Sequence, residues 1–160
     1  MNRRNVLIAT TFAALGARFA PDALAAERAE GGRSGAGNVN DVVVRYLTAW
    51  NEQDARRRHD LIAATWTEDG TYVDRVREGH GHGSIDGMIA KAQGQFPGYR
   101  LSLASGIEAH HDYLRFSWTA GGTADAPLYI KGTDFALMAE DGRFRSVIGF
   151  VDAAPAPVSR

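Results

Sequence analysis

Two aspartates and one tyrosine stand where their surroundings would change their chemistry. Asp134 lies in an apolar alternation, with Ile130, Gly132, Ala136 and Met138 on the same side of a strand by period two. An ionised carboxylate on such a face is costly unless it is paired or neutral. It would therefore either pair with Arg143 or Arg145 across a hairpin or be held as a neutral hydrogen-bond donor. Asp74 ends a short strand, Thr71 to Asp74, and is followed by Arg75 and Arg77. It could cap the loop behind it or pair with one of those arginines. Tyr46 belongs to a helical stripe, and a buried tyrosine hydroxyl usually finds a partner. The histidines form a second group: His80 and His82 alternate in a Gly-rich stretch, and His110 and His111 are adjacent. Histidine with carboxylate suits zinc or iron, but the spacing matches no H-E-x-x-H pattern, and no metal is expected. The sequence has no Cys, no nucleophile elbow and no phosphate loop. A thiol nucleophile, a disulfide framework and Cys-ligated zinc are thereby excluded.

Those side chains need elements to hold them. Val43, Tyr46, Leu47 and Trp50 recur at helical spacing after Asn40, which is placed to cap the helix. Asp54 should cap a second helix, with Arg56 to Arg58 on its wet side and Leu61, Ile62 and Thr65 inward. Trp66 should follow at its end, and Glu68 to Gly70 should turn. Arg75 to Gly83 reads as irregular, and Ser84 as the cap of a third helix with Ile85, Met88, Ile89 and Ala92 as its apolar face. Strands are expected over residues 101–109, from Leu114 through Trp118, over 128–139 and over 144–151, with a hairpin turn at Glu140 to Arg143. The order α-α-β-α-β-β-β-β predicts an α+β domain: a curved antiparallel sheet with three helices in its N-terminal half.

The chain has 160 residues, 44% hydrophobic and 23% charged, with a net charge of −1. This suits one folded domain and no nucleic-acid partner. Residues 1–25 carry Arg3-Arg4, a short apolar stretch and Ala23-Leu24-Ala25. That pattern predicts a twin-arginine-like export signal and a bacterial periplasmic or secreted protein. Residues 26–38 read as a flexible linker, 39–153 as the domain and 154–160 as a tail. No membrane span is expected in the mature chain.

Several local marks support a family resemblance when taken in order. They are Arg45 to Asn51 in the first helix, Trp66 to Asp74, Gly83 to Ile89, and Gly142-Arg143-Phe144. Over residues 40–152 the chain resembles the nuclear transport factor 2-like superfamily, which includes SnoaL-like polyketide cyclases, ketosteroid isomerase and scytalone dehydratase. The resemblance implies a cone with an internal apolar pocket. It aligns Tyr46 with the isomerase's oxyanion-binding tyrosine, Asp74 with its general base, and Asp134 with its protonated oxyanion-binding aspartate. Arg75 follows Asp74 where the isomerase has proline, and a nearby guanidinium would lower the basicity of Asp74. Trp50, Phe116, Trp118 and His82 are the expected substrate-binding residues. Two functions follow. One is a cofactor-independent isomerase or cyclase that abstracts a proton beside a ketone in a small hydrophobic substrate. The other is a non-catalytic ligand-binding or dimerisation domain. Under either, Tyr129, Phe135 and Leu137 on the opposite sheet face suggest a homodimer.

Overall fold

The computed structural model describes residues 39–121 and 130–154. The export signal, the linker, Tyr129 and residues 155–160 of the tail lie outside the described residues. Helix α1 (Val39–Asn51) begins one residue before Asn40 and buries Val42, Val43, Tyr46, Leu47, Ala49 and Trp50. Its end is tied to the sheet: the Asn51 amide donates to the Leu101 carbonyl (2.8 Å) and accepts from the Leu101 amide (2.7 Å). Helix α2 (Ala55–Thr65) is capped by Asp54, which accepts from the Arg57 amide.

Arg58 departs from the expected wet face of α2. It is 5% exposed, and its Nε donates to Asp86 at 2.5 Å. Its Nη1 donates to the carbonyls of Glu52 and Gln53 and to Gln93. The Gln93 amide in turn donates to the carbonyls of Trp50 and Glu52. The carbonyls freed at the end of α1 thus find donors on α2 and α3, which draws a charged side chain inward.

The expected turn at Glu68 to Gly70 is instead part of strand β1 (Trp66–Val73), which continues directly from α2, and the register shift between Trp66 and Thr71 absorbs the irregularity. The loop expected after Asp74 also contains a strand, β2 (Glu78–His80), antiparallel to β1. Helix α3 (Gly81–Gln95) follows it, four residues earlier than a Ser84 cap would allow. Ile85, Met88, Ile89 and Ala92 are its buried face, as the spacing predicts. The single strand expected over 101–109 is two short ones, β3 (Leu101–Leu103) and β4 (Glu108–His110), both pairing with β5 (Tyr113–Ala120). Strands β6 (Ile130–Met138) and β7 (Phe144–Ala153) complete the sheet.

The sheet order is β2-β1-β7-β6-β5-β3, with β4 also on β5. The all-antiparallel expectation fails at one seam: β1 and β7 run parallel. Side-chain alternation is the same in both directions, so a strand's pattern alone could not reveal that pairing. The inner face carries Leu114, Phe116 and Trp118 from β5 and Gly132, Asp134, Ala136 and Met138 from β6. Close packing requires Gly132, because a Cβ there would come within 2.4 Å of the Trp118 ring. On the outer face Phe135, Ile148 and Phe150 are exposed. Among the described residues no helix is long and apolar enough to cross a membrane.

Candidate active site

Tyr46 sits at the centre of an aromatic nest. Its ring lies 5.3 Å from that of Trp66, 5.4 Å from Phe116 and 5.9 Å from Phe144. The helix stripe brings the ring inward, and β5 and β7 close over it. The hydroxyl donates to Oδ2 of Asp134 at 2.5 Å, across helix and sheet. Asp134 is fully buried, and neither Arg143 nor Arg145 pairs with it. Arg143 instead pairs with Asp141 at 2.7 Å in the hairpin turn. The other Asp134 oxygen, Oδ1, has no hydrogen-bond partner, and neither do the buried indole nitrogens of Trp50 and Trp118.

Burial pushes the Asp134 carboxyl up to about 6, against the pull of the Trp118 and Tyr46 donors, which favour the anion. Burial and then the Asp134 charge push the Tyr46 phenol well above its ordinary value, so it stays protonated.

In front of Tyr46 lies a cavity of about 180 Å³. Tyr46, Trp50, Tyr72, Trp118, Leu101 and Phe96 contribute to its wall, with Asp74, Arg75 and Arg77 on it as well. Asp74 is held from behind. Its Oδ1 accepts the amides of Val76 and Arg77, both at 2.7 Å. Its Oδ2 is held more loosely, by the Tyr72 hydroxyl at 3.1 Å and by Arg77 Nη1 at 3.3 Å. The loop-capping and Arg77-pairing alternatives for Asp74 are therefore both realised. One oxygen anchors the loop, and the other remains the weaker-bound face of the carboxylate.

The structure brings Tyr46, Asp74, Trp50 and Trp118 to one cavity, with Asp134 directly behind Tyr46. It does not bring Phe116 or His82 to the cavity wall. Phe116 packs edge-on behind Tyr46. His82 lies on α3, with Nε2 3.0 Å from the Trp66 carbonyl and its ring near His59. Among the described residues no group of three or more His or carboxylate side chains could hold a metal ion. Sequence reasoning missed Tyr72, whose ring packs on Trp50 at 5.3 Å. Its position two residues before Asp74 on one strand was the available signal, since such residues share a face.

No family model and no curated protein matches the chain. Solved structures do. A protein of the SnoaL-like family from Agrobacterium tumefaciens, provisionally described as an isomerase, is 38% identical, with a TM-score of 0.66. The match covers 71% of this chain and 96% of that one. A protein from a Jannaschia species, provisionally described as a SnoaL-like polyketide cyclase, is 16% identical with a TM-score of 0.62, covering 76% of this chain and 90% of that one. A protein from Catenulispora acidiphila with a ketosteroid isomerase-like fold, in complex with trimethylamine, is 17% identical with a TM-score of 0.57, covering 68% and 82%. The last two show the fold alone. With the cone architecture, the cavity and the Agrobacterium relative together, the chain belongs to the SnoaL-like family of the nuclear transport factor 2-like superfamily.

Proposed function

We propose that this chain is a cofactor-independent proton-transfer enzyme, an isomerase or cyclase, acting beside the carbonyl of a small hydrophobic substrate. The observation that carries this reading is the Tyr46–Asp134 pair, buried behind an apolar cavity with no countercharge. Asp74 would take a proton from the carbon next to the carbonyl through its looser oxygen and return it to a neighbouring carbon. Tyr46 would meet the developing enolate oxygen. When Asp134 is protonated its O–H donates to Tyr46, and the Tyr46 O–H is released to the ligand. With a midpoint of about 6, roughly a tenth of Asp134 is in that form at pH 7. Each preorganised oxyanion donor contributes ~10²–10³ in rate, and general-base help ~10²–10⁴. No cofactor is required, because binding the carbonyl oxygen acidifies the adjacent C–H.

The test is a titration of the protein with a phenol or an equilenin-like enolate mimic, read by tryptophan fluorescence and thermal shift. Trp50 and Trp118 flank the cavity and should report binding. Tight binding that is lost in Tyr46→Phe and Asp134→Asn supports the reading and directs assays to ketone isomerisation. A folded protein that binds neither mimic would sink it.

The tethering of Asp74 by four donors favours the second reading, a non-catalytic ligand-binding domain. Asp74→Ala separates the two: an enzyme loses turnover with its ligand affinity kept. We also propose export through the N-terminal segment, testable by sequencing the N-terminus of protein recovered from the periplasm. Pairing of two copies through the face bearing Phe135, Ile148 and Phe150 would leave Phe135→Lys monomeric in sedimentation.

A further inference from the structure

Tyr72 stands between the two carboxyls. Its hydroxyl donates to Asp74 Oδ2, and the orphaned Oδ1 of Asp134 lies close by. Gly149 on β7 pairs with Asp134 in the β6–β7 ladder. A Cβ on Gly149 would stand 2.8 Å from the Tyr72 hydroxyl, 3.1 Å from Asp134 Oδ1 and 3.4 Å from Asp74 Cβ. Three polar side chains therefore close over one glycine, in a space that any larger residue would wedge open. The phenol oxygen has one proton to give and two lone pairs to offer. While Asp74 is ionised, it takes that proton's hydrogen bond. Once Asp74 is protonated, its own O–H can donate to the phenol oxygen, which frees the phenol O–H for Asp134 Oδ1, a buried oxygen with no hydrogen bond among the described residues.

We propose that Tyr72 is a positioning residue that couples Asp74 to Asp134 across the space over Gly149, so that proton uptake at one carboxyl is answered by a hydrogen bond at the other. The exchange turns the O–H bonds and draws the Tyr72 hydroxyl and Asp134 Oδ1 to hydrogen-bond distance over Gly149, and the proton gained by Asp74 is the only one added. The charged and titratable groups facing Tyr72 are Asp74 and Arg77 from the segment after β1, Asp134 from β6 and Tyr46 from α1. Asp152 acts on Asp134 from the end of β7. Burial, Asp134 and Asp74 all push the Tyr72 phenol upward, which keeps its proton in place as a donor. The proposal rests on reading Tyr46, Asp74 and Asp134 as one site. It makes that site a single unit, in which the base and the carbonyl-polarising pair sense each other.

The experiment is a carboxyl ¹³C NMR pH titration of the full chain, with Asp74→Asn and Asp134→Asn assigning the two signals. Asp74→Asn should lower the Asp134 midpoint by about one unit more when the Tyr72 hydroxyl is present than in the Tyr72→Phe background, while the amide spectrum stays that of the folded protein. If Tyr72→Phe does not fold, Gly149→Ala reads the same link: it keeps the hydroxyl, displaces it, and should also remove that difference. An Asp134 midpoint that responds equally to Asp74→Asn with and without the Tyr72 hydroxyl overturns the coupling. A merely structural tyrosine would lower the unfolding temperature and leave both titrations in place. The titration needs neither ligand nor turnover, so its failure is distinct from a failure of the enzymatic reading.

Discussion

Two buried polar clusters lie within one small domain, and they are built on opposite principles. Around Arg58 the acceptors are many: a carboxylate on Nε, and two backbone carbonyls and a side-chain amide on Nη1, share the guanidinium. Around Asp134 there is, among the described residues, one strong hydrogen bond, one oxygen without a partner and no ion pair. The first cluster is well partnered and joins α1, α2 and α3. The second is left short of partners beside a cavity. A fully satisfied buried network serves stability, whereas an unsatisfied one is retained at a cost that a structural role does not explain.

Breaking the well-partnered cluster should have the largest effect. Arg58→Ala leaves Asp86 and the end of α1 without their donor. It should lower unfolding free energy by about 3 kcal/mol in chemical denaturation, the low end for a buried pair because Asp86 is partly exposed. A loss near zero would erase the contrast.

The unsatisfied cluster predicts the opposite sign. Asp134 has a folded midpoint of about 6 and an unfolded one of about 3.9, so between those values the native state binds more protons. Its contribution to stability is complete below the unfolded midpoint and is lost as pH rises through the folded one. By about pH 7 that loss amounts to ~3 kcal/mol. Other carboxyls, such as Glu52, held down to about 2 by Arg57, work in the reverse direction. The difference between the pH–stability curves of wild type and Asp134→Asn therefore isolates the effect. Asp134→Asn should be the more stable protein near pH 7.5 and should lose this advantage near pH 4.

Gly132→Ala tests the packing beside the cluster. Its Cβ would meet the Trp118 ring and the Phe150 carbonyl, and the expected loss is about 2 kcal/mol with altered tryptophan fluorescence. Smallest is Tyr46→Phe, which removes one hydrogen bond and should cost about 1 kcal/mol by denaturant melt. If instead it collapsed the fold, Tyr46 would belong with Arg58 among the structural residues.

The clusters were not equally legible in the sequence. Asp134 could be found because strand alternation puts it on an apolar face, and Tyr46 because it falls on a helical stripe. Both signals are local and periodic. Arg58 could not, because nothing in an arginine run says which guanidinium will be drawn under a neighbouring helix end. Strand β2 and the early start of α3 were hidden by Gly and His residues with little intrinsic preference. The β1–β7 seam was hidden because its partners are distant in the chain. Tyr72 and Gly149 belong to that seam, so their part in the site emerged only from the fold.

That seam also orders assembly. Val73 pairs with Ile148, and Asp134 meets Gly149 only when β7 has entered between β1 and β6. Helices α1 to α3 and strands β1 and β2 can form contacts while the chain is still emerging during synthesis. The pocket floor cannot form until β7, the last strand of the sheet, has arrived. Such long loop closure predicts slow, late-committing folding, in which β1 and β6 wait with open edges. A protein truncated before Phe144 should retain helical signal, lack the cavity and aggregate through those edges.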